Sequence, residues 1–116
     1  MESKSPTWQS RFEFLTCRAD AVESAIPPKA IGVAVIYTPG PGSESIHLVV
    51  ESRAGSLRDQ CLKRFQSGKL PPTESLTVSY RCEVLSDPTP DALQAACRLQ
   101  VMLAGELRRE LRPAMR

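Results

Sequence analysis

Residues 76–111 read LTVSYRCEVLSDPTPDALQAACRLQVMLAGELRREL, and two periodicities within them decide the fold. Leu76, Val78, Tyr80, Cys82 and Val84 alternate with Thr77, Ser79, Arg81 and Glu83. A period of two among β-forming residues predicts a strand with one buried face. From Ala92 the period changes. Ala92, Ala96, Leu99, Leu103, Leu107 and Leu111 recur at spacings of three and four, and Ala95 and Met102 widen that stripe. This spacing predicts an amphipathic helix over 92–111 that buries the stripe. The junction supports both elements: Thr89 can cap, Pro90 suits the first helical position, and Asp91 sits at the positive end of the dipole. Arg108, Arg109 and Arg112 gather at the opposite end, where cations are favoured, and Pro113 stops the helix.

Upstream of the strand, Lys69-Leu70-Pro71-Pro72 is a linker that no helix crosses. Before it, Leu57 to Gln66 reads as a second helix, with Leu57, Cys61, Leu62 and Phe65 as its apolar face. Ser56 and Asp59 form a start resembling a capping box, and Gly68 supplies the stop. Earlier still, Gly32–Tyr37 and Ile46–Val50 are short runs rich in Val and Ile and bounded by Gly and Pro, which favours strands. The loop Pro39-Gly40-Pro41-Gly42-Ser43 between them predicts a β-hairpin. In the first 30 residues, Phe12 to Phe14 reads as a short strand, and Ala19 to Ile26 as a helical turn or two ended by Pro27-Pro28. The expected class is α+β: a small three-stranded sheet packed by helices, with a ββαβα core over 26–116, a variable N-terminal segment over 1–25, and one domain in all.

A chain of 116 residues, 41% apolar and 24% charged, is long enough to bury a real core. Its net charge of +2 lacks the strong basic excess of a dedicated nucleic-acid binder, so any such role needs local clustering of charge. No apolar run approaches the roughly 18 residues of a membrane span. Met1 to Thr7 is polar, without the apolar centre of a secretory signal. A soluble protein of the cytoplasm, or of an equivalent reducing compartment, is expected, with no membrane partner. Cys17, Cys61, Cys82 and Cys97 form no Cys-x-x-Cys pair, and His47 is the lone histidine. The reading is buried thiols, with no metal and no cofactor.

The element order and some local text resemble the GIY-YIG domain, a small nuclease fold with a ββαβα core. Gly32-Val33-Ala34-Val35-Ile36-Tyr37 stands where the family's first strand carries Gly-Ile-Tyr. Leu48-Val49-Val50, followed by Ser52 and by Leu57-Arg58, stands where the second strand leads into the helix. The resemblance places the family's first-motif tyrosine on Ala34, and the second-motif tyrosine and glycine on Leu48 and Val50. The helix arginine falls near Gln60, with Arg58 or Arg64 reached by a shifted register, and the histidine or tyrosine one turn later falls on Arg64. The metal-binding glutamate falls around Ala96, and no acidic residue occupies that helix between Asp91 and Glu106. Magnesium needs oxygen ligands, and phosphodiester hydrolysis leans on the metal. The resemblance therefore implies a domain that keeps the fold and has shed the chemistry.

Candidate functional residues fall into two groups. Arg53, Arg58, Lys63, Arg64 and Lys69, with Gly55 and a helix N-terminus as an anion seat, form a potential phosphate-backbone patch. The plain alternative is a solvated helix face diluted by Glu51 and Asp59. Arg108, Arg109 and Arg112 form a basic end to the long helix, which dipole complementarity already explains and which a partner can use. Trp8 is a candidate interface anchor, with packing against its own domain as the alternative. His47 reads as a structural histidine facing opposite to Ile46 and Leu48. The expected function is a non-catalytic module that contacts a protein or a nucleic acid. The alternatives are a magnesium-dependent nuclease with a rearranged site, using Glu51 or Glu83, and a structural subunit of a larger assembly.

Overall fold

The computed structural model describes residues 7–41, 44–52, 56–86 and 89–115. In chain order the elements are α1 (Trp8–Arg11), β1 (Leu15–Arg18), α2 (Val22–Ala25), β2 (Ile31–Thr38), β3 (Ser45–Glu51), α3 (Leu57–Gln66), β4 (Thr77–Glu83) and α4 (Pro90–Leu111). Short 3-10 turns precede α2 and β4. The strands make one antiparallel sheet in the order β1-β4-β2-β3. The class is α+β, as the two periodicities require. The sheet has four strands rather than three, because the N-terminal segment contributes β1.

β2 is buried at every position but its last, and its place in the sheet explains why. It lies between β4 and β3, with helices on both faces. Ala34 and Ile36 point into a core shared with Leu48, Val50, Val78 and Tyr80 and closed by Val22 of α2 and by Leu57 and Cys61 of α3. Val33, Val35 and Tyr37 point the other way, into a core closed by Trp8 of α1 and by Ala104 and Leu107 of α4. Strands covered on both sides lose the alternation of an exposed strand and read as continuous apolar runs, which IGVAVIY does.

The strand expected at Phe12–Phe14 is absent. Glu13 adopts a positive φ of 57°, which breaks the extension. Phe12 and Phe14 instead stack on each other, their centroids 6.1 Å apart, and pack beside Trp8. The strand begins one residue later, with Leu15 opposite Tyr80. Gly32 is required where β2 meets β4: a Cβ there would lie 2.0 Å from the Arg81 carbonyl oxygen.

A register shift between Ile36 and Tyr37 leaves His47 as the extra residue of a bulge, since Ile36 pairs with Leu48 and Tyr37 with Ile46. Ile46 and Leu48 therefore face opposite layers, not one face as simple alternation predicts. The outer edge of β3 is covered from beyond α4, where Ala114 and Met115 donate their backbone N–H to the carbonyls of Ile46 and His47 at 3.1 and 2.8 Å.

α4 buries a narrower face than its apolar stripe suggests. Ala96, Ala104 and Leu107 are buried and Leu103 and Leu111 partly so, whereas Leu99 and Met102 are 63% and 65% exposed. The helix packs chiefly on β2 and β3, and two strands cannot cover so broad a stripe.

Candidate functional site

The basic residues assigned to α3 divide into two sets, and Arg53 and Gly55 lie outside the described residues. Ser56 caps the helix, its Oγ accepting from the Asp59 N–H at 3.2 Å. The Leu57 N–H donates to the Ala30 carbonyl at 2.9 Å, and the Gln60 N–H to that of Ser56 at 3.1 Å. Most of the donors that make a helix N-terminus attractive to anions are thus already engaged. Arg58 is half-buried and donates from Nη1 to the Glu23 carbonyl at 3.3 Å, tying α3 to α2. Lys63, Arg64 and Lys69 are exposed, and no ion pair engages them among the described residues.

The second basic group stands on the opposite face of the sheet. Arg108 is anchored: its Nη2 donates to the Val49 carbonyl at 3.1 Å, and its Nη1 lies 3.8 Å from Glu51 Oε1. Arg112 ends α4 in the left-handed conformation at φ 49° and ψ 64°, with its N–H on the Arg108 carbonyl at 3.1 Å. That reversal, followed by Pro113, turns the tail back toward β3. Arg108, Arg109, Arg112, Pro113 and Met115 thereby line a cleft of about 580 Å³. Arg109 and Arg112 are exposed along it, and neither has an ion pair among the described residues. The cleft can hold an anion between two solvent-facing guanidiniums while Met115 and Pro113 give it an apolar side.

Trp8 is not an exposed anchor. It is 8% exposed, its ring edge-on to Phe14 and Tyr37 with centroids 5.8 and 5.4 Å away, and its indole Nε1 donates to Glu44 Oε2 at 2.8 Å. Its distance from any strongly periodic segment hid this, because α1 has a single turn. His47 Nε2 lies 2.7 Å from Thr38 Oγ1 on the neighbouring strand, which makes it a structural member of the hairpin.

All four thiols are free, and Cys17, Cys61 and Cys82 are poorly suited to nucleophilic work. Burial, and then the neighbouring Cys17, push Cys61 up to about 12. Cys17 is raised by burial and then by Asp20, and Cys82 by burial. Such thiols stay protonated at neutral pH. All three sit in or against the core beneath α3.

The positions to which the GIY-YIG resemblance assigns chemistry do not converge. Ala34, Leu48 and Val50 are buried in the core beneath α3, whereas Ala96 is buried on α4, which packs on the other face. Glu51 and Glu83 lie on strands either side of β2, with Glu51 beside Arg108 and Glu83 exposed. Among the described residues no three His, Cys, Asp or Glu side chains are grouped to hold a metal ion, and no helix is long and apolar enough to cross a membrane. Periodicity did not single out the cleft of about 330 Å³ between α4 and β4, lined by Arg81, Cys82, Glu83, Leu99, Gln100 and Leu103. Compared with known proteins, the chain matches no family model, no curated protein and no solved structure.

Proposed function

We propose that this chain is a non-catalytic binding module, GIY-YIG-like in element order, that takes a phosphate-bearing strand of nucleic acid against the last turn of α4. One observation carries the reading. Arg109 and Arg112 face a cleft of about 580 Å³ without an ion pair among the described residues, beside an Arg108 already fixed by Val49 and Glu51. Free guanidiniums on a rigid helix end suit phosphate oxygens, because their planar donor forks need little further ordering. The contact is to backbone rather than base, so it carries affinity without sequence preference. The absence of chemistry is supported by the burial of Ala34, Leu48, Val50 and Ala96 in two separate layers. The four unpaired thiols, one buried and three half-buried, favour a reducing compartment such as the cytoplasm.

The test is fluorescence anisotropy of labelled single- and double-stranded oligonucleotides at low and near-physiological salt with magnesium, the same samples then being run on a gel. Binding that weakens steeply with salt and leaves the oligonucleotide intact is the expected result. No binding at low salt removes the nucleic-acid reading and leaves an acidic protein segment as the ligand to try. Magnesium-dependent cleavage overturns the non-catalytic reading.

A further inference from the structure

α4 exposes a stripe that its own domain leaves uncovered. Positions 91, 95, 98, 102, 105 and 109 recur at spacings of four and three, so Asp91, Ala95, Arg98, Met102, Gly105 and Arg109 share one side of the helix. Leu99 and Val101 flank the stripe, and a shallow groove of about 470 Å³ runs along it past Cys97, Arg98, Val101 and Met102. Of the six large apolar side chains most exposed among the described residues, Leu93, Leu99, Val101 and Met102 all lie on this helix.

Gly105 adds an independent sign. A glycine inside a helix costs roughly 0.5–1 kcal/mol relative to alanine. Here the fold gives no reason for it: a Cβ at Gly105 would meet nothing closer than Arg109 Nη1 at 3.9 Å. A small residue beside an exposed methionine suits the close approach of a second helix.

We propose that two copies of the chain associate through α4, antiparallel about a two-fold axis at the level of residue 100. That arrangement is self-complementary. It sets Ala95 against Gly105 of the other copy, where both side chains are small enough for the backbones to approach. It sets Leu99 against Leu99 of the other copy on one flank and Val101 against Val101 on the other, with Met102 against the aliphatic stem of Arg98. The Arg98 guanidinium then reaches Glu106 of the other copy, and Asp91 faces Arg109. A parallel pair would instead oppose Asp91 to Asp91 and Arg109 to Arg109. Arg108 and Arg112 remain on the cleft at the helix end, so association leaves it open, while Arg109 is shared between that cleft and Asp91 of the other copy.

Sedimentation equilibrium of the full chain, up to about 100 μM, tests this. A monomer–dimer equilibrium is expected, and a monomer throughout the range overturns it. Met102→Lys is expected to weaken the dimer by at least about tenfold, since an ammonium would enter an apolar contact beside the Arg98 guanidinium of the other copy. Gly105→Leu separates association from folding. Its Cβ meets only Arg109 Nη1, at 3.9 Å, in the monomer, so the circular dichroism and melting temperature hold or improve while the dimer dissociates. Arg98→Glu weakens association, and Arg98→Glu combined with Glu106→Arg restores it. A dimer untouched by both Met102→Lys and Gly105→Leu, or a charge swap without rescue, overturns the antiparallel α4 contact.

Discussion

The indole of Trp8 and the carboxylate of Glu44, joined at 2.8 Å, pin the first helical turn to the start of β3. Gln9 Nε2 donates to the other oxygen of the same carboxylate at 2.9 Å, and Arg11 pairs with Glu110 of α4. The short α1 is thus held by polar contacts at its rim and by the Trp8 ring at its centre. Trp8→Ala is expected to cost about 3 kcal/mol, the usual scale for truncating a buried aromatic, read by urea denaturation. Glu44→Gln is expected to cost less than half of that, because the ring remains packed. Since Trp8 is the sole tryptophan, native emission should be blue-shifted, with the shift lost on unfolding.

Tyr37 Oη and Ser79 Oγ lie 3.0 Å apart, and Thr16 Oγ1 lies 2.9 Å from the same serine oxygen. Ser79 is fully buried on the face of β4 that alternation assigns to solvent. Ser79 bridges the other two hydroxyls, so its deletion takes a partner from both. Ser79→Ala is expected to destabilise by about 1–3 kcal/mol, and Tyr37→Phe by about 1 kcal/mol. The double variant should cost less than the sum, as a chemical-denaturation cycle would reveal.

The fold was legible wherever a segment's own period matched its environment. β4, the hairpin and α3 follow from alternation, Gly-Pro punctuation and capping. β1 did not announce itself, because a four-residue edge strand is too short for a pattern and exists by pairing with β4. The orientation of Ile46 depends on the bulge at His47, a property of two strands together. Trp8 leaves anchor and packed residue both open in the sequence, because its burial comes from partners far along the chain. Arg109 and Arg112 were legible as a basic helix end, but their cleft depends on the left-handed turn at Arg112, which no residue type demanded. Leu99 and Met102 read as core because a helix records its apolar width and not the number of strands beneath it.

Stability should fall in alkali through Cys61. Its thiol is raised from 9.0 to about 12 in the folded chain, first by burial. Below 9 both states hold the proton and the group has no effect on stability with pH. Between 9 and about 12 the unfolded chain releases it and the folded chain does not, so stability drops by about 1.4 kcal/mol per pH unit from this group. Cys61→Ala should flatten that decline in denaturation curves recorded across the range. The same burial should make Cys61 slow to react with maleimide in the native state.

Loss of both free guanidiniums should be felt uniformly by any polyanion. Arg109→Ala combined with Arg112→Ala is expected to lower the slope of log affinity against log salt by about two for single- and double-stranded oligonucleotides. Arg58→Ala should act differently, since that side chain joins α3 to the Glu23 carbonyl. Its expected effect is on the melting temperature, with the salt slope unchanged.

The place of β4 in the sheet also has a kinetic consequence. β4 pairs with β1 on one side and β2 on the other, so residue 80 must find residue 15 and residue 34 together. Until it does, the hairpin of β2 and β3 presents its most apolar strand as an open edge. High contact order of this kind slows folding, and an unpaired Val-rich edge invites pairing with other chains. Refolding should accordingly be slow for the chain's size, and its yield should fall with protein concentration even where the native state is soluble.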